Sequence, residues 1–199
     1  MAEVEKGKQI LTKSDVNRAW RNWWLYCEVQ SNNVSFQGLS HMLSMMDSLR
    51  KLYPNDDDFR AALQRNSQFY NTEGTIGAVV NGMTLSMEEE RATGENVPDE
   101  VMYSIRTALM GPMAGIGDSL VWGTLKTISL SIATTFALSG NLVAVPIALL
   151  FPLVTYFIGQ WLYGLGYSLG RNAVMDMLKS GIMDKIIISC GMLGLMVMG

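Results

Sequence analysis

The spacing of hydrophobic residues predicts helices along the whole chain and divides it into two halves. In residues 1–100, apolar side chains recur every three or four positions, which is the period of amphipathic helices. In residues 101–199, apolar residues instead form long runs with few charges. The pattern therefore predicts an all-α protein with an amphipathic N-terminal half and a hydrophobic C-terminal half.

The first predicted helix combines tryptophans with arginines. Ser14 can cap it, and Arg18 and Arg21 stand among its aromatic residues. This combination is typical of a helix that lies in a membrane interface or docks on a partner subunit, and a helix in an ordinary core is the alternative. Its apolar face consists of Val16, Ala19, Trp20, Trp23, Trp24 and Cys27.

Three more amphipathic helices are predicted before residue 100. The second covers 36–53 and ends at Pro54. The third begins at the acidic run 56–58, which suits the positive end of a helix dipole better than a metal site. The fourth carries apolar residues over 76–87 and then turns hydrophilic over 88–90, which favours an exposed helix end.

The most hydrophobic stretch, 142–164, has no charged residue and is long enough to cross a bilayer. At about 1.5 Å per helical residue it spans a hydrocarbon core of about 30 Å. A buried core helix is the alternative. Residues 121–140 form a second, less hydrophobic predicted span with one charge, Lys126, and many small hydroxylated residues that suit close helix packing.

The last apolar run, 186–199, is too short to cross a bilayer alone, so we interpret it as the start of a further span. Lysine and arginine residues in 171–185 weakly favour the cytoplasmic side for that connection. We therefore expect residues 1–100 to lie on the cytoplasmic side or in the interface, and 101–199 to form the membrane portion.

Residues 101–120 contain a glycine-rich motif that we expect to interrupt the helix. Gly111, Pro112, Gly115 and Gly117 fall within seven positions, and both residue types disfavour a regular helix. The segment is therefore predicted to be a broken or re-entrant helix, buried in protein or beside a water-filled cavity. Asp118 follows it, and a carboxylate within a membrane segment is a candidate for function.

Two simpler interpretations of this segment stay open. Gly111 and Gly115 have the spacing of a small-residue packing face between helices. Asp118 can instead be a helix cap. A dinucleotide loop is excluded, because the third glycine of that fingerprint is missing and no Gly-Lys-Ser/Thr follows.

The charge balance excludes several classes of protein. The first half carries a net charge of −5 and the second half +2, so no basic face exists to bind nucleic acid. Two cysteines in 199 residues exclude a disulfide scaffold. No cluster of His, Cys and Asp has metal-ligand spacing, and no cofactor is expected.

The segment 109–126 carries the sequence LMGPMAGIGDSLVWGTLK. It closely resembles the diagnostic motif of the IID subunit of mannose/fructose/sorbose-type phosphoenolpyruvate-dependent sugar phosphotransferase systems. The stretches at 51–54, 69–72 and 84–91 resemble further motifs of that family in the same order. Glu73-Gly74 departs from it, because family members usually have His-Pro there, and family members also extend beyond Gly199.

The resemblance implies a membrane subunit that moves a hexose together with a IIC subunit, while IIA and IIB proteins carry the phosphate. It also implies an oligomer of IIC/IID pairs in the bacterial inner membrane. No covalent catalytic residue is expected in this chain. The single histidine, His41, lies on an apolar stripe and is interpreted as a packed or surface residue, and Cys27 and Cys190 have no neighbouring base.

Together, the residues and the resemblance predict a sugar pathway shared with IIC. Amide, hydroxyl and carboxylate groups can take paired sugar hydroxyls, and a tryptophan can cover an apolar sugar face. The predicted pathway residues are Asn71, Thr72, Gly115, Gly117, Asp118, Ser119 and Trp122, with Gly111 and Pro112 shaping the backbone. The alternative is a membrane scaffold or receptor-like surface that organises IIC without transporting sugar.

Overall fold

The computed structural model describes residues 9–179, with side chains described up to residue 170. Within that part of the chain, the regular elements are helices, and no strand forms. A single π-helix lies between α5 and α6. The helices are α1 (Lys13–Tyr26), α2 (Gly38–Leu52), α3 (Asp56–Asn66), α4 (Ala78–Ala92), α5 (Asp99–Gly117), the π-helix (Asp118–Lys126), α6 (Thr127–Leu138) and α7 (Ala144–Lys179).

Local capping explains where the first helices begin. Thr12, and not the predicted Ser14, caps α1, and its side chain and that of Asp15 bond each other's backbone N–H groups in a capping box. Asn55 caps α3 by accepting hydrogen bonds from the backbone of Asp57 and Asp58. The acidic run therefore occupies the first turn of α3, where the helix dipole favours negative charge.

Helix α4 lies at the centre of the fold. Its residues from Ala78 to Leu85 are all buried, and it packs along α7. Two glycines allow this approach, because a Cβ atom at Gly82 would lie 2.0 Å from the Tyr163 carbonyl oxygen. A Cβ at Gly166 would likewise lie 2.0 Å from the Val79 carbonyl oxygen. The two helix backbones therefore touch at this crossing.

Helix α7 contains residues 144–164 of the predicted 142–164 span. Its first part, Ala144–Gly170, has 27 residues and a mean hydropathy of 1.7 in its most apolar window. Among the described residues, it is the one helix both long and apolar enough to cross a membrane. Gly170 interrupts α7 with a φ of 59°, a left-handed conformation that glycine adopts without strain.

Helix α1 runs antiparallel to α7 and joins the two halves of the chain. Trp24 packs edge-on to Tyr156, and the ring of Trp20 occupies the space beside Gly159. Five of the six predicted apolar-face residues of α1 are buried, whereas Trp24 is 36% exposed. The tryptophan face of α1 therefore packs mainly against the chain itself.

The glycine-rich segment differs from its prediction. The backbone of α5 is helical through Gly111, Pro112, Gly115 and Gly117, and the irregularity follows as the π-helix. Proline removes one hydrogen bond, but the flanking residues keep helical angles because one face of the helix packs on the core.

Three sequence-based predictions lie outside the described residues. They concern the start of a further span at 186–199, the side chains of 171–185 and Cys190.

Candidate functional site

The glycine-rich motif places six of its residues on one exposed helix face. Leu109, Met113 and Ile116, on the opposite side, are at most 5% exposed and pack into the core. The exposed positions follow a helical period of three to four residues and continue from α5 into the π-helix. We call them the open face, which consists of Gly111, Pro112, Gly115, Asp118, Ser119 and Trp122.

The last part of the open face lies on the π-helix. Side-chain hydroxyls follow its i→i+5 pattern, because Thr124 Oγ1 donates to the Ser119 carbonyl at 2.9 Å and Thr127 Oγ1 to that of Trp122 at 3.4 Å. Lys126 Nζ lies 4.2 Å from the centroid of the Trp122 ring, at cation–π distance. Regions of π-helix are rare and frequently occur at functional sites.

The capping interpretation of Asp118 is wrong. Its backbone has helical angles and continues from α5 into the π-helix, so no helix begins at Asp118. The exposed carboxylate is therefore not needed to begin a helix.

The small-residue face packs against nothing in the described part of the chain. A Cβ atom at Gly111 or Gly115 would meet nothing within 4 Å among the described residues. These glycines therefore leave room for something outside the described part of the chain, whether a second polypeptide or a ligand.

Gly117 differs from the other motif glycines because it faces the core. A Cβ atom there would lie 2.4 Å from Glu73 Cβ and 2.5 Å from Glu73 Oε2. The Glu73 side chain thus fills the space that the missing Cβ leaves. This contact joins the turn before α4 to the end of α5.

That turn carries the other two predicted pathway residues. Asn71 is exposed, whereas Thr72 is buried and its backbone N–H donates to Gln37 Oε1 at 2.9 Å. Trp23 Nε1 donates to the Gly74 carbonyl at 2.8 Å. Helices α1 and α2 therefore fix the turn. It lies against the core side of α5, opposite the open face.

Glu73 is the site residue that sequence reasoning missed. It is 4% exposed, and Oε2 accepts a hydrogen bond from the Ile76 backbone N–H at 2.7 Å. Burial raises the pKa of the Glu73 carboxyl above its ordinary value, with a smaller contribution from the negative charge of Asp118. The available signal was the Glu73-Gly74 pair itself, which stands where the related family has His-Pro.

The acidic end of α4 is buried, which corrects the predicted exposed helix end. Glu88 is 0% exposed and accepts two hydrogen bonds of 2.7 Å from the Arg65 guanidinium. Tyr53 and Asn66 donate to the same carboxylate. Glu89 accepts from the backbone of Ile10 and Leu11. Both carboxylates thus hold helices together.

His41 is packed inside the core, with its ring 4.5 Å from that of Tyr70 between centroids. Burial, followed by the positive charge of Arg106, lowers the pKa of His41 well below its ordinary value, so the imidazole is neutral at pH 7. Within the described part of the chain, no group of three His, Cys, Asp or Glu side chains is placed to hold a metal ion.

Known proteins are similar to this chain in sequence and in fold. The sequence profile of the mannose/fructose/sorbose family IID component of the phosphotransferase system (PTS) matches residues 10–199. The chain belongs to this family. This IID component is a membrane subunit of a sugar phosphotransferase system.

Two curated relatives are similar over most of the chain. The mannose-specific EIID component of Escherichia coli strain K12 is 34% identical over 192 residues, which cover 95% of this chain and 67% of the relative. The sorbose-specific EIID component of Klebsiella pneumoniae is 36% identical over 188 residues, which cover 88% of this chain and 65% of the relative. The chain thus spans about two thirds of the length of these relatives.

Solved structures support the same assignment. A cryo-EM structure of the mannose transporter ManYZ in complex with microcin E492 contains a chain with 32% identity and a TM-score of 0.78. The match covers 96% of this chain and 70% of that one. Another structure of a membrane protein matches with 33% identity and a TM-score of 0.85.

Proposed function

We propose that this IID component forms part of a sugar pathway together with a IIC-type membrane subunit. The observation that carries the proposal is the open face, where a carboxylate, a hydroxyl and a tryptophan stand beside two glycines that no described residue covers. Asp118 and Ser119 can accept and donate hydrogen bonds to sugar hydroxyls, and Trp122 offers a flat apolar ring to a sugar face.

The turn at 71–77 completes the proposed pathway. The amide of Asn71 is exposed, and the contact between Glu73 and Gly117 holds this turn against the end of α5. Thr72 Oγ1 is buried and has no hydrogen-bond partner among the described residues.

In this proposal the chain performs no covalent step. IIA and IIB proteins supply the phosphate, the cargo is a hexose, and pairs of IIC and IID subunits associate further in the bacterial inner membrane. Residues 101–199 form the membrane portion, with spans at 121–140 and 142–164, and 101–120 enters the membrane from one side. The N-terminal half faces the cytoplasm, with α1 in the membrane interface.

Sugar uptake by cells that depend on this subunit tests the proposal. We expect Asp118→Asn to reduce uptake at least tenfold while co-purification with IIC stays normal. The matched control is Glu100→Gln, which neutralises an exposed acid at the other end of α5. Normal uptake by Asp118→Asn would contradict the pathway.

A binding measurement separates transport from a scaffold role. The purified IIC/IID pair should bind the sugar, and Asp118→Asn should weaken that binding whereas Glu100→Gln should not. A pair that assembles normally and binds sugar equally well in both variants would indicate that this subunit only organises IIC.

A further inference from the structure

A groove between α1 and α7 lies apart from the open face and has no role in the proposed pathway. It has a volume of about 650 Å³. One wall comes from the N-terminal end of α1, and the other comes from the membrane-spanning part of α7. The described lining consists of Gln9, Lys13, Val16, Asn17, Phe157, Gln160, Trp161, Gly164, Leu165, Tyr167 and Ser168.

We propose that this groove binds one phospholipid, with an acyl chain along α7 and the phosphate of an anionic headgroup at Lys13. The proposal rests on the dimensions of the groove, its gradient of polarity and its charge.

The groove has the length of half a bilayer. Its α7 wall runs from Phe157 to Ser168, which at about 1.5 Å per residue is about 17 Å. That is close to half of a hydrocarbon core of about 30 Å. Because the candidate span covers Ala144–Gly170, this wall forms the C-terminal half of that span.

The polarity of the groove changes along the same direction. Phe157 and Trp161 are 59% and 65% exposed, so two apolar rings flank Gln160 in the deeper part. Because α1 runs antiparallel to α7, Gln9 and Lys13 lie at the Tyr167 end, where Gln9 Nε2 donates to Tyr167 Oη at 3.3 Å. Aromatic rings with a polar rim are typical of the headgroup level of a membrane.

The charge at the polar end suits a phosphate. Lys13 is the one cation in the described lining, and no acid is part of it. The nearby carboxylates are engaged elsewhere, because Asp15 pairs with Lys51 and Glu89 accepts from Tyr167 behind the groove wall. The amides of Gln9 and Asn17 add donors for phosphate oxygens.

Native mass spectrometry of the full chain in mild detergent tests this site. Dioleoylphosphatidylglycerol and dioleoylphosphatidylcholine are titrated separately, and the one-lipid complex is measured. We expect phosphatidylglycerol to bind about fivefold more tightly, which is the contribution of one lysine near an anionic headgroup. Lys13→Gln should remove this preference.

Two further variants keep the result interpretable. Arg21→Gln removes an exposed positive charge from the same helix outside the groove, and it should keep the preference. Gly164→Leu should weaken binding of both lipids, because its side chain enters the groove where a Cβ meets nothing within 4 Å. Circular dichroism should show that all three variants keep their helical content.

Three outcomes would overturn the proposal. Equal loss of the preference in Lys13→Gln and Arg21→Gln would show general charge attraction. Unchanged lipid binding by Gly164→Leu would place the lipid elsewhere. If the wild-type chain bound neither lipid, the groove would be a contact surface for a protein segment and not a lipid site.

Discussion

The side chain of Glu73 occupies the volume that a Cβ atom at Gly117 would need. The two residues belong to different parts of the chain, and their contact connects the turn before α4 with the end of the glycine-rich helix. The glycine is therefore required for close packing at this position, since its backbone has ordinary helical angles.

Gly117→Ala should destabilise the protein, because the new methyl group would lie 2.4 Å from Glu73 Cβ. Overpacking of this kind typically costs about 1–3 kcal/mol. Thermal unfolding in detergent measures the change. Gly115→Ala is the matched control, since a Cβ there meets nothing within 4 Å and alanine favours a helix. Equal melting temperatures for the two variants would mean that the contact is absent.

Glu73→Gln should remove a pH-dependent loss of stability. Burial raises the pKa of the Glu73 carboxyl in the folded protein, so its stabilising contribution is complete below the ordinary pKa of about 4.3. That contribution is lost as the pH rises through the higher folded pKa. Glutamine keeps the acceptor for the Ile76 N–H but does not ionise.

Unfolding of the wild type and Glu73→Gln across pH 4 to 8 checks this expectation. The variant should match the wild type at the acidic end and become relatively more stable towards neutral pH. A constant difference between the two proteins over this range would show that the carboxyl titrates normally.

Arg65→Met should strongly destabilise the fold, because it leaves the Glu88 carboxylate buried without its cation. Breaking a buried ion pair by removing one partner costs about 3–5 kcal/mol. Unfolding measurements should also show that the double variant Arg65→Met/Glu88→Leu is less destabilised than Arg65→Met alone, since no buried charge then lacks a partner.

The exposed pair of Asp57 and Arg60 provides the control for this experiment. Its atoms are 3.7 Å apart and both side chains are largely exposed. Arg60→Met, which makes the same change as Arg65→Met, should therefore leave the unfolding transition nearly unchanged. Similar destabilisation by Arg60→Met and Arg65→Met would contradict a special role for burial.

Gly82→Ala should disturb the crossing of α4 and α7. The added methyl would lie 2.0 Å from the Tyr163 carbonyl oxygen, and the two helix backbones would have to separate. We expect a loss of at least about 1–3 kcal/mol in the free energy of unfolding. Gly164→Ala, on the open side of α7, should be tolerated. Thermal unfolding measures the melting temperature of both variants. Equal melting temperatures would show that the two helix backbones do not touch at this crossing.

Sequence periodicity predicted the existence of the four N-terminal helices but not all of their details. The second helix begins at Gly38 and not near residue 36. The position where a helix begins depends on the loop that precedes it. Here the backbone of Phe36 forms an isolated β-bridge with that of Tyr70. A pattern read along one helix does not include such contacts.

The glycine-rich segment shows why local propensity was misleading. Glycine and proline disfavour an isolated helix, yet α5 stays helical because Leu109, Met113 and Ile116 bury one side of it. The pathway residues stay a prediction, but the structure adds that Gly117 faces Glu73 and that the remaining motif residues share the open face.

The sequence by itself determined the family, the all-helical architecture and the apolar stretch within α7. These follow from ordered motifs, from a period of three to four residues and from the absence of charge, which are properties of neighbouring positions. Only the tertiary structure decided that Glu88 is buried against Arg65 and that Glu73 fills the space beside Gly117. The physical reason is that an apolar period identifies the face of a helix that packs, whereas its partner depends on how distant segments dock.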